Sequence, residues 1–161
     1  NRLLSKSFPG GQINIIGSNS PTEVASRPVS VVLLDEVDKY PESTGSEGDP
    51  IKLIEERTDT FWNALSVRVC SPTIKGRSRI EQEYLLSDQR VFHGRCPHCD
   101  QLDELKWSNV HWDKDAANPA ETAAYFCGQC GEMWTEVERL RAITRGEYVA
   151  TAPFNGHAGF K

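Results

Sequence analysis

Four cysteines constrain this chain more than any other feature. They stand as "CPHC" at 96–99 and "CGQC" at 127–130, in the pattern C-x2-C-x27-C-x2-C. Each C-x-x-C turns tightly enough to aim two thiolates at one ion, and two such knuckles supply four tetrahedral sulfur ligands. Gly128 and Gly131 suit the cramped backbone of a knuckle. The spacing predicts a structural Zn²⁺ held by Cys96, Cys99, Cys127 and Cys130. Iron in a rubredoxin-like site uses similar spacing and stays open as an alternative, with disulfides or a redox motif behind both. A site closed by four thiolates has no position for a catalytic water, so the ion is a staple. His98 reads as a solvated bystander. Leu102, Leu105, Trp107 and Trp112 are expected to pack as core around the metal.

The remainder reads as an α/β chain. A hydrophobic share of 38% over 161 residues supports a real core, and the formal charge of −5 argues against a globally basic nucleic-acid binder. No apolar run approaches the ~20 residues of a membrane span, and nothing at the amino end resembles a signal peptide. "GGQINIIGS" predicts a strand at Gln12–Ile16. "VVLLDE" predicts a stronger one, whose unbroken apolar run from Val31 to Leu34 implies a central strand covered on both faces. Asp49 and Pro50 read as the cap and first turn of a helix with Ile51 and Ile54 inward. "LSVRVCSPT" gives a third strand, with Cys70 as a small buried side chain. Ser78 caps a helix that carries Ile80 and Tyr84 one turn apart. After the cysteine region come a helix in "TEVERLRAITRG" and a strand in "EYVATAP". Strands separated by helices imply a parallel sheet.

The end of the second strand holds a carboxylate pair, Asp35 and Glu36. In P-loop NTPases a buried strand ending this way holds Mg²⁺ beside the nucleotide phosphates through the first acid, while the second readies the attacking water. Incidental strand-end acids are the plainer reading. Ser71, Pro72 and Thr73 close the next strand, where hydroxyls can sense a γ-phosphate; a plain turn is the competing reading. Asp38 and Lys39 read as solvated loop charges.

Taken in order, "GSNSPTEVASRPVSVVLLDEVDKYP", "CSPTIKGRSRIEQEYLLSDQR", "CPHC…CGQC" and "TRGEYVATAP" resemble the large terminase subunit of tailed bacteriophages, in the lambda-like branch. The resemblance implies an ATP-driven motor that pumps double-stranded viral DNA into a procapsid, with a separate endonuclease. It implies an ASCE-type P-loop parallel sheet flanked by helices, with an inserted four-cysteine zinc ribbon. Residues 1–90 would be the second half of the ATPase core, 91–135 the insertion, and 136–161 a return to the core leading to a nuclease linker. Asp35 would be the Walker B magnesium ligand, Glu36 the catalytic base, and Ser71, Pro72 and Thr73 the coupling motif. Asn19 would lie near the nucleotide and DNA path. ATP and Mg, a small terminase subunit, the portal vertex, assembly as a homo-oligomeric ring, and the cytoplasm of a bacterial host follow from the same likeness.

No G-x-x-x-x-G-K-[ST] occurs in the 161 residues. The phosphate-cradling loop is therefore expected upstream and the nuclease downstream, and the piece alone is expected to be inactive. For DNA contact, Lys75, Arg77 and Arg79 around Gly76 form the better cluster, ahead of Arg139, Arg141 and Arg145, with a merely solvated basic loop as the competing reading. Two other readings compete: a zinc-ribbon module that only binds nucleic acid or protein, and a helicase-type translocase with a zinc insertion.

Overall fold

The computed structural model describes residues 3–19 and 27–161; residues 20–26, part of the stretch 17–41 quoted for the family resemblance, lie outside the described residues. Two compact units divide the chain, Asn1–Gln82 and Glu83–Lys161, ahead of the boundary expected at 90–91.

In the first unit, β1 (Ser5–Phe8) and β2 (Gly11–Asn14) form an antiparallel hairpin. The turn between them uses Gly10 at φ 88, a left-handed conformation that glycine adopts without penalty. The strand expected at Gln12–Ile16 is thus one arm of a hairpin ending at Asn14, and not a member of the parallel sheet. Its partner was not foreseen because "SKSF" carries no apolar alternation.

The rest of this unit is a parallel crossover. β3 (Val31–Asp35) pairs with β4 (Leu65–Val69), in register from Val31 opposite Leu65 to Asp35 opposite Val69. Between them runs α1 (Pro50–Glu55), capped by Asp49, whose Oδ1 accepts the Ile51 N–H at 3.0 Å. A parallel pair needs such a connection because a tight turn cannot reverse the chain twice. Ile51 and Ile54 pack with Val32, Leu34 and Val37 to make the core.

The expectation of a central strand covered on both faces is corrected here. β3 alternates: Leu34 is 3% exposed and Leu33 74%. Its sheet has two strands, and α1 covers one side. Val31, Leu33, Leu65, Val67 and Val69 share the other side, exposed. A continuous apolar run encodes two covering layers, and the described residues provide one.

The second unit contains two small antiparallel sheets. β5 (Arg90–Arg95), β6 (Leu102–Glu104) and β10 (Glu147–Ala150) form one, with β5 in the middle. β7 (Val110–His111), β8 (Ala124–Phe126) and β9 (Met133–Trp134) form the other, around β8. α2 (Arg79–Leu86) crosses the division between units, and Ser78 Oγ accepts the Glu81 N–H at 3.1 Å as its cap. α3 (Glu136–Thr144) opens with a full capping box between Thr135 and Glu138. Residues 136–161 belong to the same compact unit as the cysteines, with Glu147 opposite His93.

The core of this unit is Cys96, Tyr125, Cys127, Trp134 and Ala142, with Leu105 packed against it. Trp107 and Trp112 are not core, contrary to expectation. Trp107 is 76% exposed on a 3-10 turn, and the two indoles tilt against each other at 6.1 Å. Trp134 occupies the position they were expected to fill because β9 brings it against Tyr125, the rings tilted at 43° with centroids 4.6 Å apart.

Candidate functional site

Asp35 and Glu36 leave β3 in different backbone conformations. Asp35 is the last extended residue and is exposed, whereas Glu36 turns into the left-handed region at φ 57. The Glu36 N–H donates to Val69 O at 2.8 Å, which fastens this turn to the end of β4. A 3-10 turn, Val37–Lys39, follows, anchored by the fully buried Val37. Adjacent acids on one strand would point to opposite faces; the break at Glu36 removes that constraint. Lys39 Nζ sits 3.1 Å from Glu36 Oε2, and its hydrogen bond to that carboxylate raises the ammonium pKa. Burial, then the charge of Asp35, pushes up the Tyr40 phenol.

The parallel register carries the next loop to the same place. Cys70, one residue past β4, is half-buried, with Sγ 3.9 Å from Glu36 Oε2 and accepting the Asp38 N–H at 3.5 Å. Thr73 donates its N–H and its hydroxyl to Asp38 Oδ2, at 3.0 and 2.9 Å. Ser71 and Pro72 are exposed between these anchors.

Asp38 is the residue that sequence reasoning undervalued. It is no free loop charge, for its other oxygen accepts the Ile80 N–H at 3.0 Å at the start of α2. Burial opposes its ionisation, but the Ile80 N–H, the Ser78 and Thr73 hydroxyls and the Thr73 N–H outweigh that and bring the carboxyl down to about 2. The usable signal was an acid three residues after Asp35, where a single 3-10 turn swings it back toward the loop after the neighbouring strand.

Of the basic cluster, Lys75 and Arg77 are exposed on either side of Gly76, which turns at φ 78. Arg79 is committed elsewhere, to Asp49 Oδ1 at 3.2 Å and Pro41 O at 3.1 Å. In the second cluster Arg139 pairs with Glu136 and Arg145 with Asp100, while Arg141 is exposed. Asn19 is exposed beside the undescribed stretch.

In the second unit Cys96, Cys99, Cys127 and Cys130 place their sulfurs within 4.8 Å of one another. Four sulfurs bound tetrahedrally at ~2.3 Å lie about 3.8 Å apart. Cys96 and Cys130 stand at 3.8 Å and Cys99 and Cys127 at 3.9 Å. Those spacings are far too long for a disulfide, for which sulfurs approach to about 2 Å. The donor set can therefore hold a metal ion such as zinc. Burial raises the Cys96 thiol, but the backbone N–H groups of Cys99 and His98 reverse this and bring it to about 7. Such N–H donors favour the thiolate a metal requires.

The second knuckle is supported from below. Asp103, buried on β6, accepts the Gly128 N–H at 2.8 Å and the Tyr125 hydroxyl at 2.9 Å. A Cβ at Gly128 would meet Asp103 Oδ1 at 2.9 Å, so the glycine is required for this approach. Neither Asp103 nor Tyr125 was singled out from the sequence. His98, read as a bystander, sits 3.3 Å from Glu138 Oε1 and joins the first knuckle to α3.

Among the described residues no helix is long and apolar enough to cross a membrane. No curated protein and no solved structure matches the chain. The family model described as phage terminase large subunit gpA, ATPase domain, matches residues 1–148. With the acid-tipped strand, the Ser71–Thr73 loop and the thiolate cluster inside that match, the chain belongs to the ATPase-domain family of phage terminase large subunits.

Proposed function

We propose that this chain is the second half of a packaging ATPase, working in a ring at the portal vertex of a procapsid with a small terminase subunit and double-stranded DNA. Asp35 is the Mg²⁺ ligand and Glu36 the base that orients and deprotonates the attacking water. Bound Mg²⁺ and ATP would supply charge neutralisation and the transferable phosphoryl group. Ser71, Pro72 and Thr73 convert loss of that group into movement, and Lys75 and Arg77 press on DNA phosphates. Zinc on the four cysteines is structural. A complete P-loop sheet adds strands at the edges of β3 and β4 and helices over the face formed by Val31, Leu33, Leu65, Val67 and Val69.

One observation supports this reading above the others: the parallel register of β3 and β4 aligns Asp35 with Val69, so the acid pair and the Ser71–Thr73 loop leave the sheet side by side. Ligand sites in parallel sheets form at those carboxyl ends. A zinc-ribbon module without catalysis gives no reason for that alignment, and the family match favours packaging over a helicase.

With no phosphate-cradling motif in the 161 residues, no ATP hydrolysis is expected from them alone. In the full-length subunit, Glu36→Gln should lower kcat for ATP by about 10²–10⁴-fold with little change in nucleotide affinity. An unaltered kcat would refute Glu36 as the base.

A further inference from the structure

The catalytic reading leaves Asp38 without a task, yet this carboxylate ties together more segments than either acid of the pair. Oδ2 holds Thr73 through two hydrogen bonds, and Oδ1 holds the Ile80 N–H. Thr73 and Ile80 bracket the loop that carries Lys75 and Arg77. Inside the bracket the loop is closed on itself: Arg77 and Ser78 both donate N–H bonds to Ile74 O, at 2.9 and 3.0 Å, and Gly76 N donates to Glu81 Oε2 at 2.6 Å. It is a stiff loop gripped at both ends by one side chain.

Behind Asp38, its own turn is equally fixed. Val37 is fully buried, Glu36 N is bonded to Val69 O, and Asp38 N reaches Cys70 Sγ. A shift of the acid pair cannot be absorbed between Glu36 and Asp38, so it must appear at Thr73 and Ile80.

We infer that Asp38 is the positioning residue that transmits a change at Asp35 and Glu36 to Thr73 and to the Lys75–Arg77 loop, coupling the nucleotide to the DNA-facing segment. This rests on the assignment of the acid pair to the nucleotide. Asp38 touches neither nucleotide nor water; it acts through Thr73. A helix cap alone would need only the Ile80 N–H and the Ser78 hydroxyl, whereas here Thr73, on the far side of the loop, donates its N–H and its hydroxyl as well. Coupling between two sites requires a shared element whose position both bias, and the clamped loop is that element.

The test is steady-state ATP hydrolysis by the full-length subunit, with and without double-stranded DNA. Asp38→Asn keeps the size of the side chain but turns one acceptor into an NH₂ group facing N–H donors. The DNA-stimulated to basal ratio should fall by about tenfold, within the usual range of coupling effects. If both rates fall in the same proportion and the ratio holds, Asp38 is structural and the inference is overturned. Glu36→Gln, run alongside, separates the two claims. Full turnover in Glu36→Gln sinks the nucleotide assignment itself; abolished turnover there with an unchanged ratio in Asp38→Asn sinks only the coupling role. Should Asp38→Asn fail to fold, Thr73→Val and Thr73→Ser decide. The valine, lacking the hydroxyl, should lower the ratio and the serine should keep it, and equal ratios in the two would overturn the inference.

Discussion

Stripping the metal from the four cysteines should unfold the second unit. Five residues form its buried core, and two of them, Cys96 and Cys127, belong to the four-thiol cluster. That leaves Tyr125, Trp134 and Ala142, whose burial contributes on the order of 5 kcal/mol at the usual value per apolar side chain. A structural Zn²⁺ contributes an apparent 10–16 kcal/mol, as much as the whole net stability of a typical domain (about 5–15 kcal/mol). The assay is hydrogen exchange on the reduced chain before and after chelation, with released metal counted. Amides of β5, β8 and β9 should lose protection when one ion per chain leaves, and regain it with one equivalent of zinc. Those of β3 and β4, which belong to the other unit, should change little. If one ion is released and β5, β8 and β9 keep their protection, the metal is no staple and the argument fails.

Two further outcomes can be checked on the same chain. Leu34→Ala, at a position 3% exposed in the β3–α1 core, should cost about 2–5 kcal/mol in denaturant melts, whereas Leu33→Ala, at 74% exposed, should cost well under 1 kcal/mol. Asp38 makes the fold acid-sensitive: its carboxyl lies at about 2 in the fold against an ordinary 3.8. A depressed carboxyl contributes stability that is fully present above the unfolded value and disappears as pH falls through the folded one. The wild-type chain should therefore lose stability between about pH 4 and 2 more steeply than Asp38→Asn, and parallel curves would deny the interaction.

The elements whose signals are local were legible in the sequence. Asp49–Pro50 and Ser78 each announce a helix start through a cap that needs only its own neighbours. The cysteine spacing gave the metal-type cluster because two knuckles converge whatever lies between them. What failed depended on layers. The run "VVLLD" says that a strand is apolar on both faces but not which segment covers each face, and β3 has cover on one. Trp107 and Trp134 are alike in composition, and only strand pairing decides that one packs over Tyr125 while the other faces solvent. Asp38 was missed for a similar reason, since its partners lie 35 and 42 residues away, across the parallel crossover.

The most direct test is a structure of the full-length subunit with Mg²⁺ and a non-hydrolysable ATP analogue. The account predicts the cation about 4–5 Å from the Asp35 carboxylate, bridged by water, with Glu36 facing the γ-phosphate and Thr73 still on Asp38. A nucleotide and cation bound away from the end of β3, with Asp35 and Glu36 both in open solvent, would contradict it.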